Sequence, residues 1–359
     1  MRIVVLPGDG IGPEITAATL AVLEIVNQGL GLGLEFEHHE VGFASLKKEG
    51  TTFPDRAFAA CKAADAVLLG PVAHLEYPPR DQGGLNPSGG LRIGLDLYAN
   101  IRPARSREGL PHWGRTPMDL VIVRENTEGF YSDRNMYMGV GEFMPTPDVA
   151  LSVRKITAQG SARIARTAFE MARARRRKVT VVHKFNVLKL TEGLFLREVR
   201  KVAQEYSDVA CEEQLVDSMT AMLVRDAARF DVVLATNMYG DILSDEAAEL
   251  SGSLGLAASI NAGDAHCMAQ AQHGSAPDIA GQDKANPASL VLSAGMLLGW
   301  LAQKHKRQSY ASAQRVIEAA VDALIENPAM RTPDLGGPLG TRAFTAALCD
   351  RIQRIIERA

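Results

Sequence analysis

Short apolar runs of strand length recur along this chain, with stretches of helical period between them, and this alternation limits the available folds more than any other feature. The strand-like runs fall at residues 3–6, 34–41, 66–70, 119–123, 179–183, 209–215 and 232–235, and most are rich in β-branched side chains. Helical patterns fill most gaps, at 13–28, 55–63, 161–173, 187–206, 218–229 and 241–250. After about residue 285 the chain turns helical, with long amphipathic stretches at 287–303, 311–326 and 342–357. Repetition of strand, helix and strand predicts an α/β architecture with a largely parallel sheet. At 359 residues the chain is long for one core, so two domains are expected.

Composition narrows the function. A net charge of −3 excludes the strong basic excess of a nucleic-acid binder. The basic run from Arg173 to Lys178 sits between a helix pattern and a strand, where it reads as a solvated helix end. The start resembles a buried strand rather than a secretory leader, and no window holds the ~18 uninterrupted apolar residues of a membrane span. Cys61, Cys211, Cys267 and Cys349 are far apart and form no CxxC pair, which favours reduced thiols and a cytoplasmic setting.

Two clusters carry chemistry. Gly8-Asp9-Gly10-Ile11-Gly12-Pro13 lies between a strand and a helix start. The spacing is GxGxG and not GxGxxG, and no clear acid ends the next strand unless Glu40 serves, so a Rossmann nucleotide site is rejected. The glycines mark either a close approach of backbone or a tight turn. The second cluster is Asn237-Met238-Tyr239-Gly240-Asp241-Ile242-Leu243-Ser244-Asp245-Glu246. Asp241 and Asp245, four apart, put two carboxylates on one helical face about 6 Å apart at Cβ. They suit a hard cation such as Mg²⁺ or Mn²⁺, although acids near a helix N-terminus are favoured by the helix dipole as well.

GDGIGPE near the start, RENTEG at 124–129, NMYGDILSDE at 237–246, HGSAPDIAG at 273–281 and RTPDLGG at 331–337 stand in the order of one family. The chain resembles the isocitrate and isopropylmalate dehydrogenases, β-hydroxyacid oxidative decarboxylases. Of these, DLYANIRP at 96–103 and VHKFNVLKLTEGLF at 182–195 look most like the NAD-dependent isocitrate and homoisocitrate branches. The resemblance implies an isopropylmalate dehydrogenase-like two-domain α/β fold, not a Rossmann fold, with its active site in the interdomain cleft. Residues 1–99 with 253–359 would form a discontinuous cofactor-binding domain. Residues 100–252 would form the metal, substrate and dimerisation domain. Segment 128–156, with Met136, Met138, Val140 and Phe143 between polar residues, would be an intersubunit arm of a homodimer whose copies share each site.

The resemblance also implies roles. Arg92, Arg102 and Arg124 match substrate-binding arginines, whose planar forks suit the carboxylates of a malate-like substrate. Asp217 from the partner subunit would complete a metal site with Asp241 and Asp245. Lys184, also from the partner, matches the general base, and Tyr131 the acid that protonates the enol carbon. A lysine serves as a base only where desolvation and a nearby cation favour its neutral form. His273, Gly274, Ser275 and Ala276 would surround the adenosine of NAD, Asn286 would contact adenine, and Asp278 would bind the ribose hydroxyls. NADP-specific members carry lysine and tyrosine at the positions of Asp278 and Ile279. Relatives place a glutamate where this chain has Gln270. Asn86 and Ser88, on the segment before Arg92, make the selectivity loop polar where isopropylmalate enzymes use leucines.

The expected reaction is oxidation and decarboxylation of a 3-substituted D-malate, of isocitrate, homoisocitrate or tartrate type, to a 2-keto acid and CO₂. The alternatives are a 3-isopropylmalate dehydrogenase of leucine biosynthesis and, in another class, a non-catalytic regulatory subunit. Such subunits lose the tyrosine, the lysine or a metal aspartate, and all are present here.

Overall fold

A computed structural model describes residues 1–131, 136, 138, 139 and 141–358. Val140 and residues 132–135 and 137 of the expected arm lie outside the described residues. The strands are β1 (Arg2–Leu6), β2 (Glu35–His38), β3 (Ala66–Leu69), β4 (Ala99–Arg105), β5 (Asp119–Glu125) and β6 (Glu142–Thr146). They continue with β7 (Val149–Ser152), β8 (Lys178–His183), β9 (Ala210–Leu215), β10 (Val232–Ala235), β11 (Ile260–Ala262) and β12 (Cys267–Gln270). The helices are α1 (Gly12–Gly29), α2 (Phe43–Glu49), α3 (Asp55–Ala63), α4 (Pro87–Gly94), α5 (Ala158–Arg173) and α6 (Thr191–Gln204). After them come α7 (Val216–Asp226), α8 (Asn237–Ser251), α9 (Ala288–His305), α10 (Gln308–Ile325) and α11 (Thr341–Ile356). None of the described helices is long and apolar enough to cross a membrane.

Ten strands form one sheet in the order β2-β1-β3-β12-β11-β4-β5-β10-β8-β9. Both flanks are parallel, as the alternation predicts, but the middle is not: β12–β11, β11–β4 and β4–β5 pair antiparallel. The sequence reading did not place β4, β11 or β12. Strands of three and four residues give almost no period to detect, and Pro103 inside β4 argues locally against a strand. Pro103 is tolerated because it lies beyond the stretch of β4 that pairs with β11, where one side of the strand has no ladder to complete. Helix α8 opens at Asn237, one turn before the predicted start, and α6 opens at Thr191, four residues after its predicted one.

Period-two alternation puts odd and even residues on opposite faces, and the two faces differ. One is covered by a single apolar layer running across the sheet, from Ile3, Val5 and Leu68 to Val121, Val179 and Leu234, under α1, α5, α6, α9, α10 and α11. The other carries two separate layers. Val4, Leu6, Val67 and Met268 pack at one end. Leu120, Ile122, Val233 and Leu243 pack at the other. Continuing these alternations to the strand ends brings Gln270, Arg102 and Arg124 into the gap between the two layers.

Gly240 sets how closely α8 approaches β5. A Cβ there would lie 2.7 Å from Cβ and Cγ of Arg124 and 3.2 Å from its Cα, and backbone cannot step aside. Gly240→Ala is therefore expected to cost about 1–3 kcal/mol as overpacking. The measurement is the urea unfolding midpoint by circular dichroism, and an unchanged midpoint would contradict the close approach.

Candidate active site

The gap holds a cavity of about 340 Å³. Its walls include Arg92, Arg102, Arg124, Tyr131, Asp241, Asn86, Ser88, His273 and Gly274, all singled out from sequence, together with Gln270 and Gln272. Strands β4, β5 and β12, helices α4 and α8 and the loops after β5 and β12 bring these residues together. Adjacent strands β4 and β5 present Arg102 and Arg124 on one face, in the antiparallel register Arg102↔Ile122 and Asn100↔Arg124. β10 runs parallel to β5 with Ala235 beside Arg124, so α8, which follows β10, starts at the arginine. α4 carries Arg92 and ends on the same cavity.

Arg124 is 2 % exposed. Its Nε and Nη2 donate to Asn237 Oδ1 at 3.0 and 2.6 Å, and its Nη1 donates to Asp241. Arg102 Nη1 donates to Asp241 Oδ1 at 3.0 Å, to Asp245 Oδ1 at 3.3 Å and to Ser244 Oγ at 2.8 Å. Tyr131 donates its hydroxyl to Asp241 Oδ2 at 3.3 Å, with the Arg124 guanidinium 5.7 Å from its ring centre. Burial by itself would raise the Asp241 carboxyl, but the charges of Arg124, Arg102 and Arg92 outweigh it and hold the pKa below the ordinary carboxylate value. Burial and the neighbouring Arg102 charge pull the Arg124 pKa down, against the attraction of Asp241.

These carboxylates pass a test as cation ligands. Oδ1 of Asp241 and of Asp245 converge on one cationic nitrogen, Arg102 Nη1, so the helix already focuses two anionic oxygens on a point of positive charge. A hard divalent ion needs about six oxygens, and two carboxylates of one chain do not supply them. Among the described residues no group of three or more His, Cys, Asp or Glu side chains is arranged to hold a metal. The expected third ligand, Asp217, sits elsewhere, at the start of α7 on the sheet's far edge. There its Oδ1 accepts from Lys184 Nζ at 2.6 Å, a bond that holds the Asp217 pKa below its usual value. Neither residue lines the cavity of its own chain, and the Asp217 side chain is 62 % exposed.

The loop after β12 carries the expected cofactor residues. Ile11 N donates to Ser275 O at 2.9 Å, and a Cβ on Gly10 would stand 2.0 Å from that oxygen. The first glycine cluster therefore approaches another loop of the same chain and buttresses it. His273 Nδ1 lies 3.0 Å from Gly274 O, while its buried Nε2 has no hydrogen-bond partner among the described residues. Burial lowers the His273 pKa, outweighing the Gly274 carbonyl and Asp334. The ring is thus neutral, with Nε2 an open acceptor as an adenine amine would require. Ala276 holds a left-handed φ of 37°, Asp278 is exposed and Ile279 is half-buried. Asn286 is already committed, with Nδ2 donating to Asp334 Oδ2 at 2.9 Å and Oδ1 accepting from Ala288 N at 2.9 Å.

The structure corrects one local expectation. The segment before Arg92 is not a loop: Asn86 caps α4, its Oδ1 accepting from Gly89 N at 3.1 Å, with Pro87 opening the helix. Asn-Pro-Ser is a recognisable helix start, so the signal was in the sequence. Ser88 Oγ donates to Gln270 Oε1 at 2.9 Å, and Arg92 Nη2 to the same oxygen at 3.3 Å. Sequence reasoning gave no role to Asn237, which anchors Arg124, or to Gln272, whose Nε2 donates to Asp245 Oδ1 at 2.6 Å. Asn237 opens a motif that was recognised, whereas nothing local marks Gln272.

The family model described as isocitrate/isopropylmalate dehydrogenase matches residues 2–352. The isocitrate/homoisocitrate dehydrogenase of Thermus thermophilus is 42 % identical over 358 residues, 99 % of each chain. The 3-isopropylmalate/3-methylmalate dehydrogenase of Methanocaldococcus jannaschii is 39 % identical over 357 residues, 98 % of this chain and 99 % of the other. The crystal structure of isocitrate dehydrogenase from Methylococcus capsulatus superposes with a TM-score of 0.87 at 39 % identity, covering 98 % and 99 % of the two chains.

The converging carboxylates make a prediction that needs no substrate turnover. Mn²⁺ is expected to raise the melting temperature, by the equivalent of about 2.7 kcal/mol at a hundred times its dissociation constant. Asp241→Asn should abolish that shift in differential scanning fluorimetry. A full shift in the variant would remove Asp241 from the ligand set.

Proposed function

Because the chain belongs to the isocitrate/isopropylmalate dehydrogenase family, we propose that it oxidises a 3-substituted D-malate with NAD and Mg²⁺ or Mn²⁺, then decarboxylates it to a 2-keto acid and CO₂. Family membership supports the coarse class, an oxidative decarboxylating dehydrogenase. The finer reading is carried by the convergence of Arg92, Arg102, Arg124, Tyr131 and Asp241 on one cavity, with Asp245 bonded to Arg102 beside it.

In this reading the three guanidinium groups hold the substrate carboxylates bidentately, and Arg102 and Arg124 release Asp241 and Asp245, which they otherwise occupy. A divalent cation, when bound by Asp241, Asp245 and the partner's Asp217, supplies Lewis acidity toward the substrate's hydroxyl oxygen. NAD, when bound, supplies the hydride acceptor. Lys184 of the partner subunit accepts the hydroxyl proton as hydride leaves the carbon. After loss of CO₂, Tyr131 donates its hydroxyl proton to the enol carbon, from a position already fixed by Asp241 and Arg124.

The shared site rests on two observations. Lys184 and Asp217 stand together at the surface, away from the cavity of their own chain. Phe143, Met144, Val149 and Leu151, on the two-stranded β6–β7 hairpin, are exposed, as are Val187 and Leu190 beside Lys184. An isolated hairpin with such a surface needs a partner, and a second copy fits. The same proposal divides the chain into residues 1–99 with 253–359 and residues 100–252. It is supported by the sheet order, in which β2, β1, β3, β12 and β11 occupy one half and β4, β5, β10, β8 and β9 the other. A cytoplasmic setting agrees with four unbonded cysteines. The polar residues Asn86 and Ser88 favour an isocitrate, homoisocitrate or tartrate type of substrate. The 3-isopropylmalate reading is supported by the name of the Methanocaldococcus relative.

The decisive experiment is NADH production by the purified chain with Mn²⁺ and each of isocitrate, homoisocitrate, isopropylmalate, tartrate and D-malate. Turnover of none would overturn the proposal. For the cofactor, Asp278 is an exposed carboxylate that would repel a 2′-phosphate. Asp278→Lys with Ile279→Tyr is expected to shift kcat/KM toward NADP by at least about tenfold. A wild type that prefers NADP would refute this assignment.

A further inference from the structure

Lys184 leaves the end of β8 on a loop whose outer side is exposed, with Phe185, Val187 and Leu190 showing apolar side chains to solvent. The Lys184 carbonyl accepts from the N–H of Val187 and of Leu188, both at 3.0 Å, and the Leu188 carbonyl accepts from Glu192 N at 3.1 Å. The loop thus winds into the first turn of α6, and from that turn the Glu192 side chain folds back beneath it. Glu192 is fully buried. Burial raises its pKa, against the opposing charge of Arg154 and the main-chain N–H of Lys184, which faces the carboxylate. Arg154 Nη2 stands 2.6 Å from Glu192 Oε1, yet neither carboxylate oxygen closes a well-aligned hydrogen bond to a described residue. Charge and dipole hold this group, not bond direction.

Arg154 sits at the root of the arm, next to Lys155, which exchanges backbone hydrogen bonds with Gly129 at 2.8 and 3.0 Å. Its side chain turns inward and is 7 % exposed. Nη1 donates to Thr191 Oγ1 and Nη2 to Thr236 Oγ1, each at 3.0 Å. The guanidinium lies 5.3 Å from the Tyr239 ring centre and 5.8 Å from that of Phe130. One cation therefore ties the arm's root to the start of α8, to the residue before Tyr131 and, through Glu192, to the loop of Lys184. A buried ion pair is a poor source of stability, because desolvation offsets its attraction and an apolar pair of similar volume does as well. An apolar pair, however, could not hold a main-chain N–H under an exposed loop.

We propose that Glu192, paired with Arg154, is a positioning residue that holds Lys184 in place for the neighbouring subunit's site, so that the arm which docks on the partner also aligns the base lent to it. The proposal rests on the shared-site reading above. Displacing a base by about 1 Å can slow a reaction by as much as roughly a hundredfold while leaving substrate binding to other groups.

The test uses heterodimers with a single live site, purified through two different tags and assayed with NAD, Mn²⁺ and the hydroxy acid that the wild type oxidises best. One chain carries Asp241→Asn, which silences the site it owns while leaving its Lys184 available to the other chain's live site. Arg154→Met with Glu192→Leu replaces the pair by apolar side chains of similar volume. On the silenced chain, this exchange is expected to lower kcat by about tenfold or more, with the KM for the hydroxy acid and for NAD changed by less than about threefold. On the chain that owns the live site, it should lower kcat by no more than about threefold. Glu192→Gln keeps the shape and removes only the charge, so it folds even where the double variant does not, and it should show the same asymmetry at about threefold or more. Equal losses in the two placements, or a loss confined to KM, overturn the positioning role and leave the pair as packing. Lys184→Met on the silenced chain is the control. Full activity there means that each chain uses its own lysine, which overturns the shared site and the proposal with it, whereas lost activity with equal losses in the two placements overturns the proposal alone.

Discussion

A guanidinium almost wholly removed from water must have its charge and its planar set of donors answered by the protein, and Arg124 is such a group. The answer comes from the first turn and a half of α8, where Asn237 takes two donors and Asp241 the third. This fixes the helix against β5 at the distance Gly240 permits, and Asp241 then sets the position of Tyr131 and shares Arg102 with Asp245. The arrangement is a charge cluster on a strand end and a helix start. Under the proposed function, a dianionic substrate and a cation would take over these internal pairs.

The outer parts of the fold were legible because β1, β3, β8 and β10 are short apolar runs, β1 and β8 rich in β-branched residues, closed by helices with clear amphipathic period. The centre was not. β11 is too short to show a period, β12 (Cys-Met-Ala-Gln) holds no β-branched residue, and β4 carries a proline that only its position past the end of β11 makes acceptable. The arm was recognised as non-helical, yet β6 and β7 have no buried face within the chain to impose alternation.

The site divides in the same way. Arg92, Arg102, Arg124, Asp241 and Tyr131 stand in ordered motifs and meet in one cavity. Lys184 and Asp217 stand in motifs as well, but they meet each other instead, because parallel neighbours β8 and β9 end side by side at the sheet's edge. What no motif displays is the partner of a side-chain amide. Whether Gln270 binds protein or ligand depends on a serine and an arginine about 180 residues away, and such pairing exists only after folding.

The two faces of the sheet differ mechanically. The unbroken apolar layer on one side ties the strands together as a stiff backing. The other side is interrupted between its two layers, and across that interruption run antiparallel strands only three to seven residues long. A plate scored on one side folds toward the score. Flexure about the β11–β4 line would change the width of the polar gap while breaking few apolar contacts on that face, and the restoring force would come from the backing. The cavity can therefore narrow around a ligand by elastic deformation of one continuous sheet, with no loop required to swing over it.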